Sequence, residues 1–114
     1  MGRVTLYRPV GEAELALIAD SGWRRFPPRL PEQPIFYPVM NFEYAAQIAR
    51  DWNSKHEPGR VGYVLEMDMT GDPTDRWPVQ TAGAAAVHRE LWVPAEALDE
   101  FNDLIDGPIR LAAV

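Results

Sequence analysis

The sequence predicts an α+β domain: a mixed, largely antiparallel sheet with about three helices packed on it. Three observations carry this. From Val61 to Met69 apolar residues recur at every second position, the period of a strand with one buried face. From Val87 to Val93 the alternation returns, with Val87, Arg89, Leu91 and Val93 facing one way and His88, Glu90 and Trp92 the other. Before and after these stretches the apolar spacing changes to that of helices. Several strands in a row between helices favour such a sheet over a purely parallel one.

The elements follow in order. Residues 3–8 alternate, with Val4 and Leu6 on one face, and read as a strand that Pro9-Val10-Gly11 ends. A helix is expected over 12–20, its stripe marked by Leu15 and Ile18 with support from Leu17, and Gly22 is placed to cap it. Residues 23–34 hold four of the eleven prolines, which forbids a helix and makes the loop stiff. Ile35-Phe36-Tyr37 is a short strand before Pro38. Asn41 suits an N-cap for a helix reaching about Asn53, with Ala45, Ile48, Ala49 and Trp52 on its apolar face. Residues 53–59 are a polar turn, 78–81 a short strand, and Gly83 to Ala86 is ambiguous. Pro94 suits the first position of a helix whose stripe is Leu98, Phe101, Leu104 and Ile105, ended by Gly107. Residues 108–114 read as a last strand.

With 114 residues and no repeat or linker, residues 1–114 are expected to form one domain. The apolar fraction of 46% excludes disorder as the main state. There is no cysteine, which removes disulfides, thiolate metal sites and a cysteine nucleophile, and fits a cytoplasmic location. No apolar run approaches the ~18 residues of a membrane span. The net charge of −6 disfavours general binding to nucleic acid. Arg24, Arg25 and Arg29 nonetheless gather in the proline-rich loop, either as solvated charges or as a local site for a phosphate or carboxylate.

No phosphate-loop, GxGxxG, GxSxG or HExxH motif occurs, and His56 and His88 lie in different segments, so no metal site is expected. Glu90 is the best-placed carboxylate, on a strand between His88 and Trp92. Either that face meets solvent, or Glu90 is held beside an aromatic platform where it stabilises developing positive charge. Arg8 is a second candidate, its alternative being a surface ion pair. Tyr37 is a third, its alternative being a core or edge aromatic.

The segments Leu6-Tyr7-Arg8-Pro9-Val10-Gly11, Phe26-Pro27-Pro28-Arg29-Leu30-Pro31, Gln33 to Val39, Tyr44 to Asn53 and Glu90-Leu91-Trp92-Val93-Pro94-Ala95-Glu96 resemble a group of small bacterial proteins labelled "ADP-ribosylation/crystallin-J-like". A weaker likeness is to the ADP-ribosyltransferase fold. That fold carries Arg or His on its first strand, Ser or Tyr on a middle strand and Glu on a late strand, an order that Arg8, Tyr37 and Glu90 follow. The resemblance implies NAD or a related nucleotide as ligand and transfer of ADP-ribose as the activity. It gives Glu90 and Tyr37 to catalysis and Arg8, Tyr7, His88 and Arg29 to holding the nucleotide. The sequence departs from that pattern at Pro9, in place of a glycine, at His88, in place of the first Glu or Gln of a Glu-x-Glu, and after Phe36, where no Ser-Thr-Ser follows. The alternative is a non-enzymatic module that binds a protein, for example an acidic immunity or antitoxin partner, through Trp23, Trp77, Trp92 and the proline-rich loop.

Overall fold

The computed structural model describes residues 4–29, 34–53, 62–81 and 89–113, without the side chains of residues 52, 53 and 81. Val61, His56, His88, Val87 and the Gly83–Ala86 stretch lie outside the described residues. The fold is α+β, and every strand pairing among the described residues is antiparallel.

Strand β1 (Val4–Val10) lies beside β3 (Tyr63–Met69), with Leu6 opposite Met67 and Tyr7 opposite Glu66. On its other side β3 pairs with β7 (Ile105–Ala113). The alternation read in the sequence places Leu65, Met67 and Met69 in the core, each fully buried.

Among the described residues the two strongly alternating stretches do not pair with each other. The first strand lies between them, joined to the second stretch by a single residue. Val39 exchanges two backbone hydrogen bonds with Tyr7, at 3.0 and 2.7 Å. Its other edge faces Glu90, where Met40 N donates to the Arg89 carbonyl (3.0 Å) and Leu91 N to the Pro38 carbonyl (2.8 Å). Strand β2 (Ile35–Phe36) meets β6 (Val93–Pro94), and β4 (Val79–Thr81) meets β5 (Arg89–Leu91). Phe36 opposite Val93 and Val39 opposite Glu90 obey one register. Residues 35–39 are therefore one interrupted strand against 89–94, with Tyr37 across from Trp92. Pro34, Pro38 and Pro94 punctuate this ladder because proline has no N–H to give it.

One face of the sheet carries helix α1 (Glu12–Asp20) and helix α3 (Leu98–Asp103). Ile18, Leu98 and Phe101 reach from them into a core with Leu6, Phe26, Phe36, Leu91 and Val93. The Phe36 ring stands 5.0 Å from Phe26 and 5.2 Å from Phe101, tilted or edge-on as aromatic quadrupoles prefer. The other face carries α2 (Phe42–Ile48), continued by a π-helical turn over Ala49–Asn53. The Asn41 side chain caps it, accepting from Tyr44 N at 2.8 Å. Ala45 and Ala49 pack on Val39 and Val64. The chain enters β3 so close beneath that a Cβ on Gly62 would lie 2.1 Å from the Ala49 carbonyl oxygen, so only glycine fits there.

Several boundaries differ from the sequence reading. Leu17 is 54% exposed and does not support the α1 stripe. Pro94 ends β6; a 3-10 turn over Ala95–Ala97 precedes α3. Ile105 begins β7 instead of ending the helix, opposite Met69. Gly107, at φ +82, sits inside β7 where the register with β3 shifts, not at a helix end. Trp77 is only 8% exposed and belongs to the core, while Trp23 and Trp92 are half-buried, so the three do not form an exposed aromatic face. The proline-rich loop is anchored by buried Asn102, whose side chain accepts from Phe26 N (2.9 Å) and donates to the Phe26 carbonyl (3.1 Å).

Candidate functional site

Residues opposite one another in an antiparallel ladder share a face, and successive residues alternate. Tyr7, Val39, Glu90 and Gln80 therefore form one row on the face that α2 covers. Tyr37 and Trp92 lie on the same face one step along. Arg8 points to the opposite face.

Glu90 is held at both oxygens. The Tyr44 hydroxyl, from the first turn of α2, donates to Oε2 at 3.0 Å. The Trp92 indole Nε1 donates to Oε1 at 3.1 Å. The Tyr37 ring stands edge-on to Trp92 with centroids 5.6 Å apart, and Tyr7 stands edge-on to Phe42 at 6.0 Å. Both donors to Glu90 are neutral, and among the described residues no cation lies within ion-pair distance of it. Burial, followed by the charge of Glu90 and the hydrogen bond to it, pushes the Tyr44 phenol up to about 12. Tyr44 thus stays a donor at any physiological pH. The result is an oriented carboxylate whose charge is unspent, set among aromatic rings. Such a group favours positive charge brought near it. Alongside, Phe42, Glu43, Tyr44, Ala46, Gln47 and Arg50 line an open depression of about 320 Å³.

On the opposite face Arg8 is committed to α1. Its Nε and Nη2 donate to the two oxygens of Glu14 at 2.9 and 3.1 Å, the two-pronged geometry that suits guanidinium and carboxylate. Nη1 donates to the Tyr37 carbonyl at 3.4 Å, and the guanidinium lies 4.6 Å from the centre of the Phe36 ring. Arg29 comes to the same place, 3.9 Å from Glu14 and 5.6 Å from the Phe36 ring centre. Of the other loop arginines, Arg25 pairs with Asp99 and Asp103 on α3, and Arg24 is exposed.

The candidates thus divide. Tyr7, Tyr37 and Glu90 come together on one face; Arg8 and Arg29 come together on the other, with the Tyr37 backbone between them. His88 lies outside the described residues. Two residues that hold the candidate groups, Tyr44 and Glu14, were not singled out from the sequence. Tyr44 falls on what reads as the polar side of a capped helix, and its signal was the cap that fixes that turn. Glu14 reads as a first-turn acid favoured by the helix dipole, and nothing in its spacing points to Arg8. Among the described residues no group of three or more His, Cys, Asp or Glu could hold a metal, and no helix is long and apolar enough to cross a membrane. Comparison with protein-family models, curated proteins and solved structures finds no match.

Proposed function

We propose that this chain is an ADP-ribosyltransferase-like domain that binds NAD or a related nucleotide and uses Glu90 in the transfer of ADP-ribose. The observation that carries the reading is the Glu90 carboxylate of a late strand, oriented by two neutral donors on the same face as Tyr37 of a middle strand, although Arg8, the first-strand residue of the resemblance, is turned to the other face. Cleaving NAD breaks the bond from the ribose C1′ to the nicotinamide nitrogen. Nicotinamide leaves with the electron pair, positive charge develops on the ribose, and an acceptor then bonds to C1′. A fixed carboxylate lowers the barrier to such a step more than it strengthens ground-state binding. Tyr7 and Tyr37 flank the nicotinamide–ribose end in this reading. Arg8, Tyr7, His88 and Arg29 remain the residues that the resemblance gives to the nucleotide, but Arg8 and Arg29 do not share the face of Glu90.

The test is turnover of NAD. Glu90→Gln keeps the shape of the side chain and removes its charge, so it retains nucleotide binding and loses roughly a hundredfold or more in rate. Glu96→Gln, at an exposed turn residue, leaves turnover unchanged. Equal turnover by wild type and Glu90→Gln rules out the assigned role.

One observation favours a second reading, an acidic protein-interaction module. Arg8 is engaged by Glu14 and separated from Glu90, while the three exposed acids of α3, Asp99, Glu100 and Asp103, meet only two arginines among the described residues, Arg25 and Arg76, and leave that surface with excess negative charge. A basic protein partner would suit that surface. If millimolar NAD leaves the melting temperature of the folded protein unchanged, weight passes to this reading.

A further inference from the structure

Behind the sheet, two guanidiniums share one carboxylate. The Arg8 and Arg29 side chains are 11% and 10% exposed, and Glu14 is the one acid within ion-pair distance of either among the described residues. Arg8 takes both Glu14 oxygens. Arg29 is left 3.9 Å from one of them, beyond hydrogen-bond reach, and its buried Nε has no hydrogen-bond partner. Burial and the charge of Arg8 hold the Arg29 guanidinium below its ordinary value, with Glu14 and then Tyr37 offsetting only part of this. A buried donor without a partner, in a cluster with one positive charge too many, is unfavourable as it stands. An anion would relieve both faults. Arg29 also lines an open depression of about 430 Å³ with Pro28, Ala95, Glu96, Leu98 and Asp99, so the unpartnered group is beside a route to solvent. Asp99 there is already engaged by Arg25.

We propose that Arg29, braced by Arg8, forms a binding site for an oxyanion, the phosphate or carboxylate group of a small ligand that approaches through this depression. Arg8 is fixed by Glu14 and Phe36 and supplies field; Arg29 supplies the free donors. The site is separate from the Glu90 face and stands whether or not that face takes NAD.

The experiment is a titration of the full-length, isotope-labelled chain followed by NMR at the arginine Nε–H resonances, with inorganic phosphate in one arm, acetate in a second and chloride at matched ionic strength in a third. The expected result is a saturable shift of the Arg29 Nε–H with phosphate, acetate or both, and none with chloride, while the Arg110 resonance, paired with Asp68 and Glu66, stays still. A response to one anion alone names the group. Arg29→Gln should weaken binding of that anion about tenfold or more. No saturable shift of Arg29 with either anion overturns the proposal, and so does unchanged affinity in Arg29→Gln. Should that variant not fold, the wild-type titration decides alone.

Discussion

Glu14 and Glu90 are both partly buried carboxylates on opposite faces of one sheet, and they keep opposite company. Glu14 is met by two guanidiniums, so its charge is neutralised where it stands. Glu90 is met by a phenol and an indole, which fix its direction and leave its charge. The first arrangement ties helix α1 to the sheet. The second does little for the fold that a neutral side chain could not do, and presents a charge to whatever approaches. The contrast separates a carboxylate kept for structure from one available for chemistry.

Stability measurements can break this contrast. Glu14→Gln leaves Arg8 and Arg29 together without an anion, and should cost about 3 kcal/mol, the low end for breaking a buried pair because the site retains some solvent. Urea unfolding measures it, and a cost under about 1 kcal/mol would mean that the ion pair holds little. Glu90→Gln should cost less than about 1 kcal/mol, since the amide oxygen still accepts from one donor and the Tyr44 hydroxyl can turn to accept from the amide nitrogen. Equal costs for the two variants would make Glu90 a structural carboxylate and remove the distinction.

A smaller effect sharpens the comparison from the side of the donor. The folded-state value of Tyr44 is raised from 10.0 to about 12, so the folded chain holds this proton more tightly than the unfolded chain. Below pH 10 both states are protonated and nothing depends on pH. As pH rises from 10 toward 12 the unfolded state loses the proton first, and stability falls. Phenolate absorbance should therefore show an ionisation step raised to about 12 that is absent in Tyr44→Phe. In Glu90→Gln burial still holds that step up, but it should move part of the way down because the charge of Glu90 is gone. A Tyr44 step that stays where it is in Glu90→Gln would show that Tyr44 does not hold Glu90.

Much of this was legible from the chain. Period-two alternation located the long strands, and the Asn41 cap located the helix that covers Glu90. The pairing of Glu90 with Trp92 on one face followed from their spacing. The same rule also contained the fact that Arg8 and Tyr7 face opposite ways: the period that turns Val4 and Leu6 inward turns Arg8 inward too. What could not be read were the contacts made across sequence. Val39 joins two halves of the sheet as a single residue and has no periodicity to detect. Ile105 fits equally a helical stripe and the start of a strand, and only its pairing with Met69 decides. Asn102 is polar inside an apolar helix face, and its use appears only when Phe26 is placed beside it, 76 residues away.

The central claim is that the face holding Glu90 is where the nucleotide binds. The most direct measurement is titration of the labelled protein with NAD, followed at the Trp92 indole N–H, which is hydrogen-bonded to Glu90 at 3.1 Å. A saturable shift at Trp92, retained in Glu96→Gln and accompanied by shifts at the Tyr37 and Tyr7 rings, is the result expected. A Trp92 resonance that stays fixed through millimolar NAD, in a protein whose spectrum is otherwise folded, would contradict the claim.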